Sequence, residues 1–106
     1  MARLDKSTAA HADLVEHFIY LFEEAGEMVA DRFLASAEKS FDLLLTHPHI
    51  GMALALRDPA LSGMRKWGVE GFENYLIFYM PRSSRIEIVR VLHRSRDWWH
   101  LLGLVE

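Results

Sequence analysis

The most continuous apolar stretch of the chain lies near its C-terminal end, in residues 85–97, which read RIEIVRVLHRSRD. Between positions 86 and 92 every residue except Glu87 and Arg90 is aliphatic. Such density is typical of a strand covered on at least part of both faces. The pattern therefore predicts a strand inside a sheet, not at its edge, that ends at a group of charged side chains.

Arg90 is the exception within this predicted strand. A strict two-residue repeat places it on the same face as the aliphatic residues at positions 86, 88 and 92, where an isolated charge would be costly. Glu87 and Asp97 are the acidic residues nearest to it in sequence. We therefore expect Arg90 either to pair with one of these carboxylates or to face a partner where the strand ends.

Two helices are predicted before the strands. Ser7 or Thr8 is suited to cap the first helix, and apolar residues recur at helical spacing as far as Ala25 and Gly26. The second helix should begin at about Glu27 and end before Pro48. The apolar stripes consist of Leu14, Phe18, Leu21, Phe22 and Ala25 in the first helix, and of Ala30, Phe33, Leu34, Ala37, Phe41, Leu44 and Leu45 in the second. With almost no loop between them, the helices should form an antiparallel hairpin.

Strand patterns dominate the rest of the chain. Residues 64–69, 72–80 and 85–93 alternate or are rich in branched and aromatic side chains, and turn formers separate them. A short strand is also expected at residues 2–5, residues 48–63 should be mainly irregular, and Trp98, Trp99, Leu101 and Leu102 suit a short terminal helix. The prediction is one α+β domain over residues 1–106, with the order β-α-α-β-β-β and an antiparallel sheet packed against the helix hairpin.

Composition restricts the classes of function. There is no cysteine, which excludes thiolate metal sites and favours a reducing compartment, so we expect a cytoplasmic protein. No apolar run approaches the ~20 residues needed to cross a bilayer, and no membrane association is expected. His47 and His49, like His11 and His17, lack further ligands at suitable spacing, so neither a metal nor another cofactor is predicted.

Charge is unevenly distributed along the chain. The net charge of −3 argues against a protein that mainly grips nucleic acid, and no sequence-specific nucleic-acid binding is expected. Residues 1–56 carry nine acidic and four basic side chains, whereas residues 57–96 carry eight basic and four acidic ones. This division predicts a cationic surface, formed by the second half, for an anionic partner.

The chain resembles the RelE/ParE toxin superfamily, and its ParE branch in particular. The resemblance covers nearly the whole length and depends on three segments: FDLLLTHPHIG at the end of the second helix, NYLIFY in the second long strand, and RIEIVRVLHRSRD, the most specific of the three. It implies a toxin of a type II toxin–antitoxin system that inhibits DNA gyrase and blocks replication. It also implies a hetero-oligomer with a cognate antitoxin of the ParD type.

The RelE branch of the superfamily implies a different function, cleavage of messenger RNA on the ribosome. Such a nuclease needs a cationic cluster and a proton donor or acceptor around the phosphate. Arg65, Lys66, His93 and Arg96 would form that set here. The arginine that follows the strand tyrosine in these nucleases is replaced by Leu76, after Tyr75, and the terminal helix has tryptophans in place of a tyrosine. The nuclease is therefore the second hypothesis, and a non-toxic partner-binding module is the third.

If the chain acts as a ParE-type toxin, we predict a surface that binds protein partners and has no catalytic residues. It comprises Arg65, Lys66, Tyr79, Arg90, His93, Arg94, Arg96, Trp98 and Trp99. A helix hairpin over a three-stranded sheet leaves a groove and a sheet edge that a partner segment can fill. Because the second half of the chain is basic, we expect the antitoxin to carry an acidic C-terminal segment.

Overall fold

A computed structural model describes residues 3–56 and 58–96. Its helices are α1 (Thr8–Ala25) and α2 (Glu27–Thr46). Its strands are β1 (Arg3–Lys6), β2 (Met52–Ala53), β3 (Arg65–Val69), β4 (Phe72–Pro81) and β5 (Arg85–His93). The predicted α+β class and the helix hairpin ahead of the three long strands are confirmed. The predicted terminal helix, with Asp97, Trp98 and Trp99, lies outside the described residues.

Local chemistry sets the bounds of the helix hairpin. The Ser7 hydroxyl accepts a hydrogen bond from the Ala10 N–H at 2.9 Å, so Ser7 caps α1. Gly26 alone separates α1 from α2, and its φ of 94° lies in a region that side chains disfavour. The second helix ends at Thr46, two residues before Pro48. The predicted apolar stripe of α1 is wrong at Phe22, which is 47% exposed, and at Ala25, which is also exposed. The buried residues of this helix are instead Ala10, Asp13, Leu14 and His17.

The five strands form one mixed sheet in the order β1-β5-β4-β3-β2. Strands β3, β4 and β5 are antiparallel neighbours, as the turns between them predict. Strand β1 returns beside β5 in parallel, which places β5 inside the sheet, as predicted from its apolar content. The segment expected to be irregular contains two short elements, the edge strand β2 and a 3₁₀ turn at Pro59–Leu61.

Each face of the sheet has its own apolar cluster. Phe33 and Phe41 of α2 pack with Ile77 and Ile88 on the helix-covered face. On the opposite face Phe78 packs with other buried strand residues, and leucines from the segment between β2 and β3 cover this cluster. Every interior position of β4 from Tyr75 to Met80 is therefore buried, regardless of the face to which it points.

A bulge in β5 changes the predicted orientation of its second half. Phe78 is opposite Arg90, but the next residue, Tyr79, is opposite Ile88, so Val89 is an extra residue in β5. As a result Val91 joins Ile88 in the helix-side cluster, while Leu92 joins the opposite cluster. The strict alternation assumed for residues 86–92 is therefore wrong beyond Ile88.

Candidate functional site

The ion pair of Arg90 joins the first helix to the central strand. The Asp13 carboxylate accepts hydrogen bonds from Arg90 Nε at 2.7 Å and from Arg90 Nη2 at 2.9 Å. Both side chains are largely buried, with 9% of Asp13 and 21% of Arg90 exposed. The pKa of the Arg90 guanidinium is raised above its ordinary value, mainly by these hydrogen bonds to Asp13. The bulge and the packing of α1 thus bring Asp13 to Arg90, and the predicted pairing with Glu87 is wrong, since Glu87 pairs with Arg82. The other predicted partner, Asp97, lies outside the described residues.

Three side chains continue the hydrogen bonding of the sheet where β1 ends. Strand β1 stops at Lys6, opposite Ile88, whereas β5 continues to His93. Beyond that point the Ser7 hydroxyl donates to the Val89 carbonyl at 2.7 Å, and the Val91 N–H donates to Asp13 at 3.0 Å. His17 Nε2 lies 2.7 Å from the Val91 carbonyl oxygen, which only accepts, so Nε2 carries the proton. This part of β5 therefore offers no open edge to a partner strand.

A groove lies where α1 meets the ends of β4 and β5. Its volume is about 460 Å³, and its walls include Glu16, Ile19, Tyr20 and Glu23 from α1. Tyr75 and His93, paired across β4 and β5, line the strand side. Their rings meet edge to face at 5.0 Å between centroids, and the His17 ring contacts Tyr75 in the same manner at 4.8 Å. The groove thus combines aromatic walls with carboxylates at its rim.

The contacts of His93 and Tyr75 indicate which hydrogen bonds these two side chains can make in the groove. His93 Nδ1 accepts the Ser95 N–H at 3.1 Å and lies 2.7 Å from the Ser95 hydroxyl, so the neutral ring carries its proton on Nε2. Burial raises the pKa of the Tyr75 phenol, and the nearby Tyr20 phenol raises it further. Tyr75 therefore stays neutral well above neutral pH and is available as a hydrogen-bond donor.

Arg65 and Tyr79 have structural contacts at the other end of the sheet. Arg65 Nη1 donates to the His49 and Gly51 carbonyls at 3.1 and 2.6 Å. The Tyr79 hydroxyl donates to the Pro48 carbonyl at 2.8 Å and accepts from the Gly51 N–H at 2.9 Å. Tyr79 is fully buried, so in this structure it holds the loop after α2 and does not reach a partner surface.

Three residues of the predicted nuclease set, Arg65, Lys66 and His93, do not converge. Lys66 is paired with Phe78 and shares its face, away from the helices, whereas Arg65 and His93 are paired with Tyr79 and Tyr75 on the helix-covered face. Tyr75 and Tyr79 are four residues apart in β4, so their partners are separated by about 13 Å along the strands. No single phosphate position brings these side chains together in this structure.

Arg94 and Arg96, two more of the predicted partner-binding residues, follow the end of β5. Arg94 is exposed, and its guanidinium contacts Asn74 Oδ1 at 3.5 Å. Arg96 lines the groove and lies 3.8 Å from Glu16. Of the predicted set, therefore, His93 and Arg96 meet in the groove, Arg94 lies close to them in sequence, and Trp98 and Trp99 fall outside the described residues.

Sequence reasoning missed the α1 side of the groove and the partner of Arg90. Asp13 and His17 are four residues apart and both are buried, so they share the core-facing side of α1 with Leu14. The sequence feature that could have revealed them is this pair of polar residues, four positions apart, within an apolar stripe. Among residues 3–56 and 58–96, no group of three His, Asp or Glu side chains has the geometry to hold a metal ion. Within the same part of the chain, no helix is long and apolar enough to span a membrane.

A match to a protein-family model shows to which family the chain belongs. The model for the ParE toxin of the type II toxin–antitoxin system parDE matches residues 4–98. The chain belongs to the ParE toxin family. This membership confirms the resemblance drawn from the three sequence segments and makes the chain a toxin of a type II system with an antitoxin partner.

One similar solved structure is the chromosomal ParDE toxin–antitoxin system from P. aeruginosa. The match covers 88% of this chain and 96% of that one, with a TM-score of 0.71 and 18% sequence identity. At this identity the likeness supports the ParE fold and not the details of the site. A comparison with curated protein sequences gives no significant match.

Proposed function

We propose that this ParE-family toxin inhibits DNA gyrase and is neutralised by a cognate antitoxin that binds it directly. The family match over residues 4–98 carries the proposal, since inhibition of gyrase is what the resemblance to the ParE branch implies. The separation of Arg65, Lys66 and His93 over two faces and two ends of the sheet favours an inhibitor over a nuclease.

The antitoxin proposal includes an acidic segment that meets the exposed cations at the end of β5. Arg94 supports it, because its guanidinium is exposed and makes only one long hydrogen bond within the part of the chain described. Several other cations are already paired with acidic side chains of the first half, including Arg85 with Asp5 and Arg96 with Glu16. The uneven charge of the sequence is thus partly neutralised inside the fold.

Two assays on the purified chain test the function. The first is ATP-dependent supercoiling of relaxed plasmid by gyrase, and the second is a translating extract probed for cuts in the message. We expect inhibited supercoiling with intact message, and recovery of supercoiling when the antitoxin encoded beside the toxin gene is added first. Message cleavage that disappears in the Lys66→Ala/His93→Ala variant would establish the nuclease instead. No effect in either assay, with antitoxin binding retained, would identify a non-toxic binding module.

A further inference from the structure

Helix α1 exposes two neighbouring rows of side chains on the side turned away from the core. Val15, Ile19 and Phe22 follow each other at spacings of four and three residues, and each is about half exposed, at 47%, 51% and 47%. We call them the apolar row. Glu16, Tyr20 and Glu23 repeat the same spacing one residue later and form the acidic row. Exposed apolar residues that recur along one helix face mark an interaction surface better than scattered ones do.

The acidic row borders the groove between α1 and the ends of β4 and β5. Glu16, Tyr20 and Glu23 all line it, together with Ile19 of the apolar row. Glu23 makes no ion pair with any residue that the structure describes, whereas Glu16 is partly neutralised by Arg96 at 3.8 Å. Tyr75 lines the inner wall; it is only 7% exposed, and its hydroxyl has no hydrogen-bond partner among the described residues.

We propose that these two rows and the groove form the docking surface for a basic amphipathic segment of the cognate antitoxin. Apolar side chains of that segment pack on Val15, Ile19 and Phe22, and an Arg or Lys side chain enters the groove between Tyr20 and Glu23. The inference rests on the proposed function in that it requires an antitoxin that binds the toxin. It adds a second contact, of opposite charge, to the acidic segment proposed for the end of β5.

The chemistry of the groove favours a cation. A carboxylate forms its strongest hydrogen bonds with guanidinium and ammonium groups, and aromatic faces attract the same groups. The groove supplies both, through Glu23 and through the rings of Tyr20 and Tyr75. Its volume of about 460 Å³ accommodates a long side chain. The Tyr75 hydroxyl, which has no partner among residues 3–56 and 58–96, adds a hydrogen-bonding group at the inner wall.

Charge argues against the two other occupants that this chain itself could provide. Residues 97–106 contain Asp97 and Glu106 but neither Lys nor Arg, so they do not complement an acidic rim. A second copy bound through the same face by two-fold symmetry would bring Glu16 and Glu23 of both copies together. Like charges at such a contact oppose association.

Paired variants of the full-length toxin separate this surface from general charge effects. Glu23→Arg reverses a charge that lines the groove, and Glu24→Arg makes the same change at the adjacent exposed position, which does not line it. Ile19→Ser removes an apolar contact beside the groove, and Met28→Ser removes an exposed apolar side chain, 85% exposed, away from it. Affinity for the antitoxin encoded beside the toxin gene is measured by calorimetry, with circular dichroism to confirm that each variant is folded.

We expect Glu23→Arg and Ile19→Ser to weaken binding about tenfold or more, and their controls to change it less than about twofold. Overlapping antitoxin peptides should identify a basic one whose binding is lost in Glu23→Arg. Replacing its Arg or Lys by Glu should restore binding to that variant. Equal effects of Glu23→Arg and Glu24→Arg, or an acidic peptide at this face, would overturn the inference while the proposed function stands. Failure of the wild-type toxin to bind any antitoxin would overturn the proposed function itself.

Experiments on the toxin without antitoxin test the two other occupants, residues 97–106 and a second copy of the chain. Indole NMR signals of Trp98 and Trp99 should be unchanged by Glu23→Arg when no antitoxin is present. A change in both signals would show that residues 97–106 fill the groove and would overturn the proposal. A wild-type dimer in sedimentation analysis that dissociates in Ile19→Ser would overturn it in favour of a second copy.

Discussion

Asp13 and Arg90 are 77 residues apart in sequence, yet both carboxylate oxygens of Asp13 accept hydrogen bonds from the Arg90 guanidinium. One of these oxygens also accepts the Val91 N–H. The aspartate therefore neutralises a largely buried charge and completes the hydrogen bonding of β5 beyond the end of β1. Together with the contacts of Ser7 and His17, this ion pair holds α1 against β5 beside the groove.

Removal of the Asp13 carboxylate should be strongly destabilising. In Asp13→Ala the Arg90 guanidinium and the Val91 N–H both lose their partner in a buried setting, so the free energy of unfolding should fall by about 3 kcal/mol or more. Chemical denaturation at neutral pH measures this. Asp5→Ala is the control: Asp5 also contacts two arginines, but it is 40% exposed, and its loss should cost below about 1 kcal/mol. Equal losses in the two variants would contradict this account of Asp13.

The Tyr79 hydroxyl should be required to hold the loop after α2. Tyr79→Phe leaves the buried Gly51 N–H without its acceptor, so we expect a loss of about 1–2 kcal/mol and faster hydrogen exchange at Gly51. Tyr75→Phe is the matched control, because the Tyr75 hydroxyl makes no hydrogen bond within the described part of the chain, and its loss should be small at neutral pH. Slow exchange at Gly51 in Tyr79→Phe would show that the hydroxyl does not hold the loop.

Gly51 should not tolerate a side chain. A Cβ at this position would lie 2.6 Å from the Tyr79 hydroxyl oxygen and 2.7 Å from the Lys66 carbonyl oxygen. Gly51→Ala is therefore expected to destabilise the fold by about 1–3 kcal/mol, as overpacking of a closed site does. In the double variant with Tyr79→Phe the contact with the Lys66 backbone remains, so the double variant should be less stable than Tyr79→Phe alone. If the double variant were as stable as Tyr79→Phe alone, the added methyl group would clash with the Tyr79 hydroxyl only.

The sequence was sufficient for features that depend on local patterns. The dense aliphatic run predicted β5 and its interior place, and the cap at Ser7 and the break at Gly26 predicted the helix hairpin. The parallel return of β1 beside β5 has no local signature, since the two strands are separated by both helices. The bulge at Val89 also lacks one, because no Gly or Pro marks it.

The candidate site was less predictable for related reasons. Arg90 was recognised as anomalous, but its true partner lies on α1 and not near it in sequence. Arg65 and Tyr79 were chosen for their chemistry, which the fold uses to anchor a loop. Glu23 and Ile19 were not predicted to belong to a site, because an exposed helix position has the same sequence pattern whether it meets water or a partner. Only the packing of α1 beside Tyr75 shows that they border a groove.

Alkaline pH should destabilise the wild type more than Tyr75→Phe. Burial and the Tyr20 phenol raise the pKa of Tyr75 above its ordinary value of 10.0, so the unfolded chain loses this proton first as pH rises. The contribution of the protonated Tyr75 phenol to the free energy of unfolding is complete below about pH 10 and is lost as the pH approaches the folded-state pKa. Over that range the free energy of unfolding should fall by at most about 1.4 kcal/mol per pH unit.

Urea denaturation at pH values from about 9 to 11 measures this difference. The stability of the wild type relative to Tyr75→Phe should decline across the series, while the contribution of Tyr79 is present in both proteins and cancels. Because burial is the larger cause of the shift, Tyr20→Phe should retain most of the decline. A constant difference between the wild type and Tyr75→Phe would show that Tyr75 titrates alike in the folded and unfolded chain.

Ser7 should be replaceable by Thr but not by Asp, because its hydroxyl has two roles. It accepts the Ala10 N–H as the cap of α1 and donates to the Val89 carbonyl at the bulge. Ser7→Ala removes both bonds and should cost about 1–2 kcal/mol. Aspartate is an excellent cap but has no proton to donate, and its charge would face the Val89 carbonyl oxygen, so Ser7→Asp should remain well below the wild type in thermal and urea unfolding. Ser7→Thr keeps the donor and should be within about 0.5 kcal/mol of the wild type. If Ser7→Asp were as stable as the wild type, the cap alone would explain this residue, and the bond to β5 would contribute nothing to the position of α1.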